Sequence, residues 1–388
     1  MAVLSQGQLQ RLKEHKYAAE GRSLTEFIFQ PFWNWVVTLM PLWVAPNLIT
    51  ISGLIINVFT CSMVLLYSPQ AKSNDVPSYM FILCAVGLFL YQTLDAIDGK
   101  QARRTGTSSP MGELFDHGCD AVSTIFLTTS VACALSLGSH PNTLFFFFVN
   151  NVALFYLAHW QTYCSGKLIF GVLDVTEAQV EASIGYVIAG LFGPQLFLNK
   201  IPFLYNISYA KGIVILIGIG SLWYCSQAFT KIFKGGCGKN GTTVAQTSVL
   251  SPVVPFGIIV ASTFYVFKHS ADNIFVECPC LFMLMFGTCT AKLTCNLVVA
   301  SMSKSPVDML DYCMIGPLLL ATYNYFGVQG ILAMVGISLP EYYVLLATLV
   351  FSVLLFIRYS VCICQEISKD FGIDVFKIPY KKSGKKAE

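Results

Sequence analysis

Apolar residues run along this chain in blocks of roughly twenty, set apart by short polar stretches. A block of that length crosses the hydrocarbon core of a bilayer as one helix. About ten such helices are predicted, over residues 47–67, 78–98, 114–136, 142–164, 177–198, 211–230, 251–268, 275–302, 307–327 and 340–366. Ahead of them, residues 27–43 are rich in Trp and Phe but interrupted by Pro31 and Pro41. That pattern predicts an N-terminal amphipathic helix lying in the membrane interface rather than a span. The fold class expected is an all-α integral membrane protein. A cytosolic tail and interfacial helix occupy 1–46, a transmembrane domain 47–366 and a cytosolic tail 367–388. No internal repeat and no soluble domain is visible.

Composition narrows the class. Of the 388 residues 55% are hydrophobic and 12% charged, with a mean hydropathy of +0.64. Soluble domains carry about 25% charged residues. A cytosolic soluble enzyme, a disordered chain and a secreted disulfide scaffold are excluded. The formal charge of +3 is too small and too dispersed for a nucleic-acid partner. Six of the fourteen Cys (Cys61, Cys84, Cys133, Cys225, Cys289 and Cys313) lie inside apolar runs, and Cys278-Pro-Cys280 and Cys362-Ile-Cys364 lack zinc-ligand spacing. They read as small membrane-core residues without disulfides.

Basic residues set the orientation. Arg11, Lys13, Lys16 and Arg22, the loop carrying Lys100, Arg103 and Arg104, then Lys167, Lys231, Lys234, Lys239, Lys304 and the C-terminal tail fall on one side. The other side receives only Lys72, Lys200, Lys211 and Lys268, so both termini are expected in the cytosol. The first 23 residues contain no apolar core of a cleavable signal peptide. The sequon at Asn206 falls in a lumenal loop and that at Asn240 in a cytosolic one, where it would go unused. Lys385 and Lys386, third and fourth from the end, resemble a dilysine retrieval signal, which would place the protein in the Golgi or endoplasmic reticulum; the alternative is a basic tail on anionic lipid.

The chemistry concentrates where the second predicted span ends and the third begins. Asp95 and Asp98 share one helix face, Asp116 and Asp120 another. An acid in a span costs a few kcal/mol and marks function. Four together repel unless cations sit among them. All-oxygen ligation suits Mg²⁺, Mn²⁺ or Ca²⁺, and Mg²⁺ is the usual companion of phosphates. Gly99 and Gly112 leave backbone bare for a ligand, Ala102 keeps its turn slim, and Arg103 can pair with phosphate. His117 is a candidate general base, with Glu113 one turn earlier to orient it. Asp120 and His159 are the alternatives. His159 is otherwise a candidate for hydrogen bonds to substrate. Tyr91 and Tyr163 are candidates for a quaternary-ammonium pocket.

The spacing D-x2-D-G-x2-A-R-x8-G-x3-D-x3-D resembles, without one departure, the signature of the CDP-alcohol phosphotransferases. Further stretches, Trp43-Val-Ala-Pro-Asn-Leu-Ile-Thr50, Gly112-Glu-Leu-Phe-Asp-His-Gly118 and His159-Trp-Gln-Thr-Tyr163 among them, resemble its eukaryotic choline/ethanolamine branch. The resemblance implies transfer of phosphocholine from CDP-choline to diacylglycerol, giving phosphatidylcholine and CMP. A dual choline/ethanolamine or ethanolamine-specific enzyme is the runner-up, and a divalent-cation transporter the remote alternative. It also implies ten transmembrane helices, a homodimer and two Mg²⁺ ions, with Mn²⁺ as the substitute. By the same resemblance Asp95, Asp98 and Asp116 are metal ligands and Asp120 serves the second metal. Gly99, Ala102, Arg103 and Gly112 would line the cytidine diphosphate pocket, and Asn47 would lie near its phosphates.

Overall fold

The computed structural model describes the chain except residues 1–2, 22, 74, 172–173, 205, 235–242, 327–338 and 379–388. The two C-terminal lysines and the Asn240 sequon therefore lie outside the described residues.

The described chain is helical almost throughout. A short helix α1 (Gln6–Glu14) and α2 (Leu24–Leu39) precede α3 (Pro46–Tyr67), α4 (Ser78–Thr105), α5 (Pro110–Ala134), α6 (Pro141–Ser165) and α7 (Val175–Phe192). There follow α8 (Tyr209–Lys234), α9 (Val253–His269), α10 (Ile274–Glu277), α11 (Pro279–Met302), α12 (Ile315–Phe326) and α13 (Glu341–Phe371). Proline opens α3, α5, α6 and α11, where its missing N–H leaves nothing unsatisfied. Six helices, α3, α4, α6, α8, α11 and α13, are long and apolar enough to cross a membrane. Sheet is confined to two-residue pairs: β1 (Ala19–Glu20) runs parallel to β2 (Leu168–Ile169), and β3 (Thr243–Val244) pairs antiparallel with β4 (Thr247–Ser248). None of the thirteen described cysteines is in a disulfide.

Helix α11 is the most buried of the six and packs against α5, α6, α9, α12 and α13. Helices α3, α4, α5 and α7 form the neighbouring layer. Besides 177–198, whose α-helix ends at Phe192, two sequence-predicted spans differ in detail. Residues 275–302 break at Cys278, where Pro279 removes an N–H and restarts the helix. Residues 307–327 begin as irregular chain, and helix starts only at Ile315 after a tight turn at Tyr312–Met314. Lys292 explains the second case. It is 5% exposed, its Nζ lies 2.5 Å from Asp311 Oδ2, and Asn296 Nδ2 donates to the same oxygen at 2.8 Å. The chain returns along α11 because the buried ammonium requires an anion there. Lys292→Ala is expected to lower stability by about 3–5 kcal/mol by stranding that carboxylate, and Lys292→Met with Asp311→Leu by much less. Thermal unfolding in detergent checks this.

Helix α2 contains Pro31 and is held on the end of α4 by polar contacts. Lys100 Nζ reaches Gln30 and Asn34 at 2.7 and 2.9 Å. Arg104 donates to the carbonyls of Val37 and Met40 at 2.8 and 2.7 Å at the C-terminal end of α2, where carbonyls lack partners one turn on; that of Val37 also accepts the Met40 N–H. Gln101 donates to Pro41 and Val44. Three of the four polar residues flanking Ala102 on this stretch of α4 thus fasten α2. Arg103, exposed, remains for the site.

Candidate active site

Helix α4 ends at Gly106, whose φ of 67° no side chain adopts comfortably. Three residues later Ser109 caps α5, accepting from the Gly112 N–H at 3.2 Å. So short a turn lays the last turns of α4 beside the first of α5. Asp95, Asp98 and Asp116 then offer oxygens within 4.8 Å of one another, and Asp116, His117 and Asp120 bring two carboxylate oxygens and an imidazole nitrogen within the same distance. Asp116 belongs to both. The four expected acids are brought together.

Their surroundings are nearly devoid of donors. Thr50 Oγ1 donates to Asp98 Oδ2 at 2.5 Å, and the Tyr91 hydroxyl donates to Asp120 Oδ1. Asp95 Oδ1 and Asp116 Oδ1 are buried with no hydrogen-bond partner. Buried carboxylate oxygens are ordinarily satisfied. Two orphaned ones, in an all-oxygen cluster built from both helices, fit a hard divalent cation.

Other expected residues gather round this cluster. Asn47 sits at the start of α3, and its Oδ1 would lie 3.6 Å from a Cβ added at Gly112; its Nδ2 donates to the Val375 carbonyl at 3.0 Å. The Arg103 guanidinium lies over Gly99, 3.5 Å from where a Cβ would stand. Ala102 is half-buried between these two sides of α4. His117 and His159 meet edge to face, centroids 5.2 Å apart. His159 Nδ1 donates to the Phe155 carbonyl at 2.9 Å. That bond leaves Nε2 as an acceptor, buried and without a protein partner.

Two expectations change. Glu113 does not pair with His117: its Oε2 lies 2.8 Å from His15 Nε2, a residue of the N-terminal stretch. A side chain one helical turn away competes poorly with one that arrives head-on from another segment. Tyr91 is 1% exposed and spends its hydroxyl on Asp120, so it buttresses a carboxylate rather than presenting an open ring. Tyr163 is likewise buried, its hydroxyl on the Ser305 carbonyl at 3.1 Å. Sequence reasoning missed Thr50 and His15. Thr50 was discoverable, standing one helical turn after Asn47 on the same face. His15 carried no signal in a polar stretch.

Residues 43–222, which contain the whole carboxylate cluster, match the model of the CDP-alcohol phosphatidyltransferase family. The chain is similar over nearly its full length to proteins named cholinephosphotransferase 1. That of Xenopus laevis is 42% identical, covering 99% of this chain and 93% of that protein. For Danio rerio the identity is 44%, covering 97% and 95%, and for Homo sapiens 42%, covering 96% and 89%.

Proposed function

This chain belongs to the CDP-alcohol phosphotransferase family, and from that premise we propose that it moves phosphocholine from CDP-choline to the free hydroxyl of diacylglycerol, releasing CMP and phosphatidylcholine. The observation that carries the chemistry is the convergence of four carboxylates, two of their oxygens orphaned. What supports the choline headgroup is the name borne by relatives that match almost end to end.

Two Mg²⁺ ions, with Mn²⁺ as substitute, would be held by Asp95, Asp98 and Asp116 and by Asp116 and Asp120. When bound they supply charge neutralisation for the pyrophosphate and the leaving CMP. The protein's own residues do the rest. Thr50 and Tyr91 fix the rotamers of Asp98 and Asp120. Arg103, with Gly99, Ala102, Gly112 and Asn47 around it, receives the nucleotide phosphates. The acceptor oxygen attacks the β-phosphorus and the bond to the bridging oxygen breaks, its electron pair leaving with CMP. The hydroxyl proton passes to His117, and His159 offers its free Nε2 to the substrate alongside. Glu113, anchored by His15, contributes negative field one turn from His117 rather than a hydrogen bond.

The same reading places about ten helices in a Golgi or endoplasmic reticulum membrane, with α2 in the interface, the site facing the cytosol and the chain a homodimer. Diacylglycerol, which stays in the bilayer, enters sideways between helices. Purified protein given radiolabelled CDP-choline and diacylglycerol is expected to form phosphatidylcholine, and to turn over CDP-ethanolamine more slowly. Equal or faster use of CDP-ethanolamine would replace this with the dual or ethanolamine reading.

A further inference from the structure

The N-terminal stretch is fastened at both ends. On one side, Leu9 and Leu12 of α1 pack with Met111 and Leu114 of α5 and with Ile363 and Ile367 of α13. Glu366 receives the Val3 and Leu4 N–H groups at 2.7 and 2.8 Å, and Lys13 Nζ lies 2.8 Å from Asp370. On the other side, β1 pairs with β2, just beyond the end of α6. Gly21, at φ +90°, makes that pairing feasible, because a Cβ there would stand 2.3 Å from the Phe170 carbonyl oxygen. Between the anchors, residues 15–18 form neither helix nor strand and reach the start of α5, where His15 grips Glu113.

This span carries an open ring. Tyr17 is 54% exposed, and among the described residues no aromatic ring stacks on it. Partial burial, reinforced by the charges of Glu113 and Asp116, pushes its phenol up to about 12, so it is neutral at any physiological pH. Arg103 and Asp95 also act on it electrostatically. This neutral aromatic face therefore lies within the field of both the phosphate-pairing arginine and the carboxylate cluster.

We propose that residues 15–18 form a fixed strap that completes the nucleotide pocket, with Tyr17 stacking on the pyrimidine of the cytidine diphosphate carrier and His15, through Glu113, as the positioning residue that pins the strap in place. The idea rests on the CDP-choline reading above. It assigns the strap to the nucleotide side alone, since diacylglycerol approaches from the bilayer. Tyr17→Ala is expected to raise the KM for CDP-choline about tenfold with the KM for diacylglycerol unmoved. Tyr17→Phe should recover most of that loss. His15→Ala should raise the same KM, and the double variant should fall short of the product of the two single effects. An unchanged KM for CDP-choline in Tyr17→Ala, or equal rises for both substrates, overturns the proposal. Wild-type turnover of CDP-choline, measured in parallel, tests the underlying reading separately.

Discussion

Asp116→Asn is expected to reduce kcat by about 10³-fold, roughly 4 kcal/mol of transition-state stabilisation. The substitution keeps the volume and planar shape of the side chain, so the α4–α5 packing survives. It removes the charge from the one carboxylate that belongs to both donor sets. Asp116 is also one of the two acids with an orphaned oxygen, so no protein donor compensates for the change. Chelating divalent ions from the wild-type enzyme should reproduce the loss, and adding Mg²⁺ back should reverse it. Initial rates of lipid product formation measure both. Substantial activity in chelator, or in the variant, would remove the metal role from this cluster.

His117→Ala should cost about 10²–10⁴-fold in kcat while CDP-choline still binds, as titration of the inactive variant would reveal. His117 lies on α5 next to Asp116, and its ring meets only His159 edge-on among the rings nearby. The nucleotide-binding groups sit on other turns, so truncation leaves them in place. Turnover near the wild-type rate would transfer the base role to another group, Asp120 or His159. His159 is already in the required tautomer, with Nδ1 tied to the Phe155 carbonyl.

The stretch from Asp95 to Asp120 disclosed its purpose before any coordinates, because its geometry is local. Residues three or four apart share a helix face whatever the rest of the chain does, and a turn of four residues, Gly106 to Ser109, keeps the end of α4 close to the start of α5. The positions of the long apolar helices followed from the same short-range logic, since a bilayer demands a continuous run of apolar residues. Cys278-Pro279 likewise broke a helix by chemistry written at that spot, although the run of apolar residues concealed it.

Contacts between distant segments obeyed no such rule. Thr50 reaches Asp98 across 48 positions and His15 reaches Glu113 across 98. The predicted span over 307–327 opens with Asp308 and Asp311, and a buried ammonium at Lys292 drew Asp311 alongside it and delayed the helix. Glu113 met the same fate when a histidine from the N-terminal stretch outcompeted His117 for its carboxylate. Buried charge and unpaired backbone find partners wherever the folded chain brings them. Which partner arrives is a property of the assembled helices, and only the tertiary structure could decide it.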